Sequence, residues 1–301
     1  MNDPQRVAAA SDHTDEPMDL RQIAHVAEAE KRTVSVTFSP MARRTARILD
    51  LPWLLPRRLT AGFAPPSMPG YHVKQERIAV NGAADLLIRS LLDRQQFSDP
   101  IGEAEDLGIS SAMWPLFGLL WPSGAHLAAR MAAHPVCAGE RILEIGCGLA
   151  LASLVAHRRG NDITASDCHP LAGAFLQENL RLNALPPMKY RHGHWGAAEL
   201  STSAIPRTLP EGPYDLIIGS DLLYERDERG RLADFIGHLA AVTADVLIID
   251  PDRGNRPAFN RNMASQGFTL REERLDQIAS LQTLAYKGRL LVYSRVAQPA
   301  H

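Results

Sequence analysis

Apolar and polar positions change rhythm along the chain. From Arg141 onward short apolar runs alternate with amphipathic stretches. The runs RILEIG (141–146), DITASD (162–167), MKYRHGHW (188–195), YDLIIGSD (214–221), DVLIID (245–250) and RLLVYSR (289–295) read as strands. Helical periodicity fills 149–159, 170–184, 228–241 and 255–266. Strands too apolar to alternate, separated by helices, predict a parallel sheet covered on both faces. The late segments GFTLREERL and GRLLVYSR lack a long helix between them, which predicts a terminal antiparallel hairpin. The fold expected is α/β: a Rossmann-like, seven-stranded, mostly parallel sheet with helices on both faces and that hairpin at its C-terminal end.

Upstream, ERIAVNGAADLLIRSL carries Asn81-Gly82 between two apolar stretches and predicts a hairpin. A Trp/Pro-rich stretch follows, and a helix is expected over 123–133 with Ser123 as its N-cap. Residues 1–30 are polar, Ala-rich and acidic with little periodicity and read as mostly disordered, with room for a short helix around Leu20–Glu30. Residues 31–70 are rich in Arg and Pro, with one apolar turn at Leu49–Leu55. The division expected is an extension over 1–70 and one domain over 71–301.

Composition narrows the function classes. With 45% hydrophobic and 22% charged residues, the chain of 301 residues can bury a core without staples. A net charge of -2 gives no global field toward nucleic acid. Cys137, Cys147 and Cys168 form no CxxC, which argues against a disulfide framework and fits a reducing, cytoplasmic compartment. No apolar run reaches the ~18 residues of a membrane span, and MNDPQRVAAASDHTDEP lacks the form of a signal peptide. His192 and His194 share one face of an expected strand, but a lone HxH without a third ligand is no metal site.

The strongest local signal is LEIGCGLAL (143–151). An apolar strand ends at Ile145 and turns through Gly146 and Gly148 into a helix whose first N–H groups are free. Asp167 ends the next strand, 19 residues after Gly148, where a carboxylate can accept bonds from both hydroxyls of a ribose. The third glycine of a dinucleotide loop is replaced by Leu151, which disfavours a pyrophosphate ligand.

In these residues the chain resembles the seven-β-strand class I S-adenosylmethionine (SAM)-dependent methyltransferases. Within them it is similar to family 16, the protein lysine methyltransferases, and to its branch directed at the electron-transfer flavoprotein β-subunit. The resemblance spans roughly residues 75–295. It rests on Glu144, Gly146 and Gly148 in the cofactor loop, Asp167, Trp121-Pro122-Ser123-Gly124 before a helix, Trp195 after the third strand, and Asp221 with Tyr224 after the fourth. Departures are Ala150 for a loop glycine, His194 for an Asp before Trp195, and Asp250-Pro251-Asp252-Arg253 where that branch has Asp-Pro-Gly-Arg.

The resemblance implies SAM as cofactor and a protein lysine as methyl acceptor. It implies cofactor contacts from Trp121 at the methionine end, Glu144 on the loop or the methionine amine, and Gly146, Cys147 and Gly148 beneath. It further implies Asp167 on the ribose, Cys168 and Trp195 beside the adenine, and Ser220 near the sulfonium. Asp221 would orient the acceptor amine and Tyr224 would wall its channel. A small-molecule acceptor and a non-catalytic SAM-binding module are the competing readings, and Arg253 is open to either an acidic substrate or a loop salt bridge.

Overall fold

The computed structural model describes residues 70–195, 208–224, 226–227, 229–278 and 285–297. The expectations for 1–69 lie outside the described residues. Seven strands form one sheet: β3 (Arg141–Ile145), β4 (Asp162–Asp167), β5 (Lys189–His192), β6 (Tyr214–Ser220), β7 (Ala240–Asp250), β8 (Thr269–Arg274) and β9 (Arg289–Arg295). Their order is β5-β4-β3-β6-β7-β9-β8. The first five are parallel, and β9 pairs antiparallel with both β7 and β8. The sheet and its terminal hairpin are those expected from the sequence.

The strand runs are continuous because both faces are buried. Ile142, Ile163, Leu216 and Ile218 pack into one core with α2 (Pro122–Ala133), α3 (Leu151–Arg158) and α4 (Ala172–Leu182). The alternate residues Leu143, Ile145, Ile217 and Val246 pack on the other face against α5 (Arg231–Leu239) and α6 (Arg256–Ser265). β8 is exposed throughout, and its sequence TLREER guards the sheet edge with charge.

β3 pairs with β4 on one side and β6 on the other, so chain direction across the sheet reverses between β3 and β6. A crevice opens beyond the carboxyl ends of strands at such a point. The Gly146–Gly148 loop and Asp221 lie at those ends.

Several boundaries differ from the expectation. α2 starts at Pro122 with Trp121 as N-cap and no side-chain cap bond, because Pro at the first position supplies the helical φ and needs no N–H partner. Ser123 is instead buried in the first turn, 3.0 Å from the Tyr286 hydroxyl. α5 begins only at Arg231, where Asp227 accepts the Arg231 and Leu232 N–H groups at 2.9 and 2.8 Å. β5 ends at His192, so His194 is not on the strand. β7 begins at Ala240, well before Asp245, with a register shift in its pairing to β6.

The expected N-terminal hairpin is present as a separate sheet, β1 (Val73–Ile78) with β2 (Leu86–Leu91). Asn81-Gly82 sits in a longer connection, with Gly82 at φ 78°. A short helix, α1 (Glu103–Asp106), follows it. No helix among the described residues is long and apolar enough to cross a membrane.

Candidate functional site

Three positions between β3 and α3 are left-handed: Gly146 at φ 58°, Gly148 at φ 50° and Ala150 at φ 59°. This coil throws the chain across the ends of β3 and β4. Ala150 sits at the N-cap of α3 and has no side chain to cap it. Glu144 does that work from within β3. Its Oε2 accepts the Ser153 N–H at 2.8 Å and also holds the Ser153 hydroxyl. A carboxylate there satisfies an orphan donor and complements the helix dipole. Burial pushes the Glu144 carboxyl up to about 7, against the pull of the Ser153 bonds. Of the two roles offered by the sequence, its observed bonds serve the loop.

Asp167 ends β4 and is buried. Its Oδ2 accepts the Gly148 N–H and its Oδ1 the His169 N–H, each at 2.8 Å. Burial pushes this carboxyl up, opposed by those backbone N–H bonds. Each oxygen keeps acceptor capacity, since a carboxylate offers about four lone-pair sites.

The sequence reading missed His169, which the turn Cys168-His169-Pro170 places beneath an aromatic wall. Its ring stacks on Phe117 at 3.7 Å and meets Trp114 edge-on. Its Nδ1 accepts the Leu171 N–H at 3.2 Å, and burial keeps it neutral with a pKa pushed down to about 3. Its position between strand and helix is a signal for the loop, but no local pattern announces the stack.

At the other end, Asp221 follows β6 at φ 53° and donates its N–H to Ile249 O at 2.8 Å. Its carboxylate is forked by Arg253, Nε to Oδ1 at 2.9 Å and Nη2 to Oδ2 at 3.1 Å. The open choice for Arg253 resolves as an ion pair with this carboxylate. Tyr224 is 43% exposed. Trp121 donates its Nε1–H to Leu116 O at 2.9 Å, with the Arg94 guanidinium 5.0 Å from its ring. The nearest atom of Trp195 lies 3.6 Å from where a Cβ on Gly146 would stand.

These groups share one cavity of about 350 Å³. Trp121, Glu144, Gly146, Cys147, Gly148, Asp167, Cys168, Trp195, Ser220, Asp221 and Tyr224 all line it. Residues not singled out from the sequence complete it, chiefly Phe117, His169 and Arg94. An adjoining groove of about 620 Å³ shares Trp195, Leu222 and Tyr224 with it. Among the described residues no group of three or more His, Cys, Asp or Glu is placed to hold a metal ion.

A family model described as lysine methyltransferase matches residues 116–265, which hold the loop, Glu144, Asp167, Asp221 and most of the cavity wall. This segment belongs to the lysine methyltransferase family. Its relatives include the electron transfer flavoprotein beta subunit lysine methyltransferase of Xenopus laevis, 28% identical over 46% of this chain and 53% of that protein. The Mus musculus protein of the same description is 28% identical over 65% of this chain and 71% of its own length. Protein N-lysine methyltransferase METTL21A of Danio rerio is 30% identical over 46% of this chain and 62% of its own. The match covers about half the length of the Xenopus laevis and Rattus norvegicus relatives.

Proposed function

We propose that this chain is a SAM-dependent methyltransferase that methylates a lysine side chain of a protein. One observation carries the reading: a single cavity joins the buried Asp167 carboxylate, bonded to the glycine loop, to the Asp221 carboxylate and the rim tyrosine Tyr224, inside the segment that matches the family.

The residues fit the cofactor. Asp167 is held by backbone N–H groups that include those of Gly148 and His169, yet its carboxyl is pushed up by burial, so it gains from hydroxyl donors such as those of a ribose. The apolar walls of Ile109, Met113, Phe117 and Trp195 suit a flat base. When bound, SAM supplies an electrophilic methyl group on a sulfonium.

The chain's part is positioning. An amine with an ordinary pKa near ~10.4 must lose its proton before it can attack. Asp221 accepts hydrogen bonds from the amine and aims its lone pair inward, while Tyr224 walls the entry. The narrow approach desolvates the amine and favours its neutral form. The proton leaves to water, so Asp221 acts by orientation. Three free thiols, Cys137, Cys147 and Cys168, suit a reducing cytoplasm. We assign catalysis to the domain over 71–301 and treat 1–70 as an extension.

The test uses purified protein, tritiated SAM and a host lysate, with Asp221→Ala as control and products resolved by size. A discrete protein band that disappears with Asp221→Ala supports the reading. Label confined to small molecules or RNA would overturn the protein acceptor.

A further inference from the structure

Asp221 and Arg253 close the acceptor end of the cavity as one unit. Each is fixed by its own backbone: Asp221 through its N–H to Ile249 O at 2.8 Å, Arg253 through its N–H to Asp250 Oδ2 at 3.0 Å. The guanidinium engages both carboxylate oxygens. Side-chain exposure is 13% for Asp221 and 40% for Arg253, and both line the cavity. A bidentate fork fixes the plane of the carboxylate and uses one acceptor site on each oxygen, leaving the others for a second donor.

We propose that Arg253 is a positioning residue that controls the protonation of the methyl acceptor. By neutralising Asp221 it offers the incoming lysine a hydrogen-bond acceptor without net negative charge. This rests on the transfer reading above.

A lone carboxylate facing the amine would stabilise the ammonium, the form that has no lone pair to give. The ion pair keeps the directional acceptor and cancels the charge that would hold the proton. The neighbouring charges are largely matched among themselves. Beyond β7, Asp252 is held by Arg256 at 2.5 Å and by Arg289 of β9 at 2.8 Å. Arg289 also reaches Glu272 of β8 at 3.1 Å. Buried Asp250 has Arg256 at 3.8 Å, and burial pushes its carboxyl up to about 6.

From the connection before β9, the Tyr286 phenol is bonded to Ser123 and pushed up to about 12 by burial, so it stays neutral. The ring of His126 on α2 lies 4.1 Å from it, and burial pushes the pKa of that imidazole down. On the loop side Glu144 is committed to Ser153, and Arg94 lies over Trp121. Tyr224 stands at the rim. Among the described residues, Arg253 is the cation in contact with Asp221.

The experiment is single-turnover transfer to the labelled acceptor protein isolated from the lysate, purified and saturating, as a function of pH. It compares wild type, Arg253→Gln and Arg253→Lys, with SAM affinity measured by calorimetry alongside. Loss of the cation in Arg253→Gln moves the acidic limb of the rate profile up by about one pH unit, so the deficit shrinks at high pH. Arg253→Lys keeps the charge and loses the fork, so the limb stays in place while the plateau falls. SAM affinity matches wild type in both. Arg253→Met is a second neutral variant and follows Arg253→Gln. A limb that does not move in either neutral variant, with the rate scaled equally at every pH, overturns the proposal and reduces Arg253 to a loop tether. A wild-type enzyme that labels no protein fails earlier, at the transfer reading itself.

Discussion

The Gly148 N–H donates to Asp167 Oδ2 at 2.8 Å, across 19 residues of chain and between the ends of two neighbouring strands. One carboxylate therefore sets the shape of the glycine loop and also faces the cavity. Asp167→Ala removes both the anchor and the hydroxyl acceptor. Hydrogen bonds to a charged group contribute ~1.5–3 kcal/mol, so SAM affinity is expected to fall by roughly ten- to a hundredfold. Isothermal titration calorimetry reads this directly, and an unchanged Kd would put the cofactor elsewhere.

Glu144 gives a pH signature to stability. Its carboxyl stands at about 7 in the fold against an ordinary value of 4.5, with burial as the largest cause. A raised folded value means the native state holds the proton longer than the unfolded chain. That contribution is present below the ordinary value and is lost as pH rises through about 7. Glu144→Gln keeps an acceptor for Ser153 and removes the titration. The stability of the variant relative to wild type should rise between about pH 5 and 8, by up to roughly 3 kcal/mol. Denaturation curves for the two proteins that stay parallel across this range would contradict the assignment.

The glycine loop can be probed by what a methyl group meets. At Gly148, φ is 50° and a Cβ would lie 2.8 Å from the Phe117 carbonyl oxygen, a backbone atom that cannot swing away. At Gly160, φ is 93° but nothing stands within 4 Å. Both alanine variants bear the left-handed cost of ~1–2 kcal/mol, and only Gly148→Ala adds the clash. Chemical denaturation should rank Gly148→Ala clearly below Gly160→Ala, with SAM affinity reduced in the former alone. Equal stability of the two would show that the Phe117 segment yields freely.

The sheet was legible because its strands are buried on both faces, which turns RILEIG or DVLIID into runs no surface loop would carry. Their ends were less legible. The stretch Ala240-Ala241-Val242-Thr243-Ala244 extends β7 across a register shift: Ala240 pairs with Tyr214 and Ala244 with Arg295, while Val242 between them is 72% exposed and breaks the apolar run. At the cavity, each residue named from the strand ends lines the same space, since strands in register deliver their carboxyl ends to one edge. What local sequence could not carry was partnership. The stack of His169 on Phe117 and the fork of Arg253 on Asp221 join residues 52 and 32 positions apart. Glu144 was read as a ligand or loop residue, and its role as cap for α3 follows from Ala150 being unable to cap.

A further test lies away from the cavity, where α4 meets the N-terminal hairpin. Asn179 accepts the Arg89 N–H at 2.7 Å and donates to its carbonyl at 3.4 Å. Asn183 accepts the Leu87 N–H at 2.9 Å and donates to its carbonyl at 2.8 Å. Two amide side chains thus stand in for a neighbouring strand along the free side of β2. The spacing works because four residues of helix rise ~6 Å and two residues of strand ~6.7 Å. Asn179→Ala strands an N–H and a carbonyl in a part-buried setting, at a cost of about 1–3 kcal/mol. Asn183→Ala should cost a similar amount, and SAM affinity should not change in either. Hydrogen exchange should speed up at Arg89 in the first variant and at Leu87 in the second. Exchange that accelerates equally at both amides in each variant would mean the hairpin opens as one unit, and that the two asparagines do not guard separate bonds.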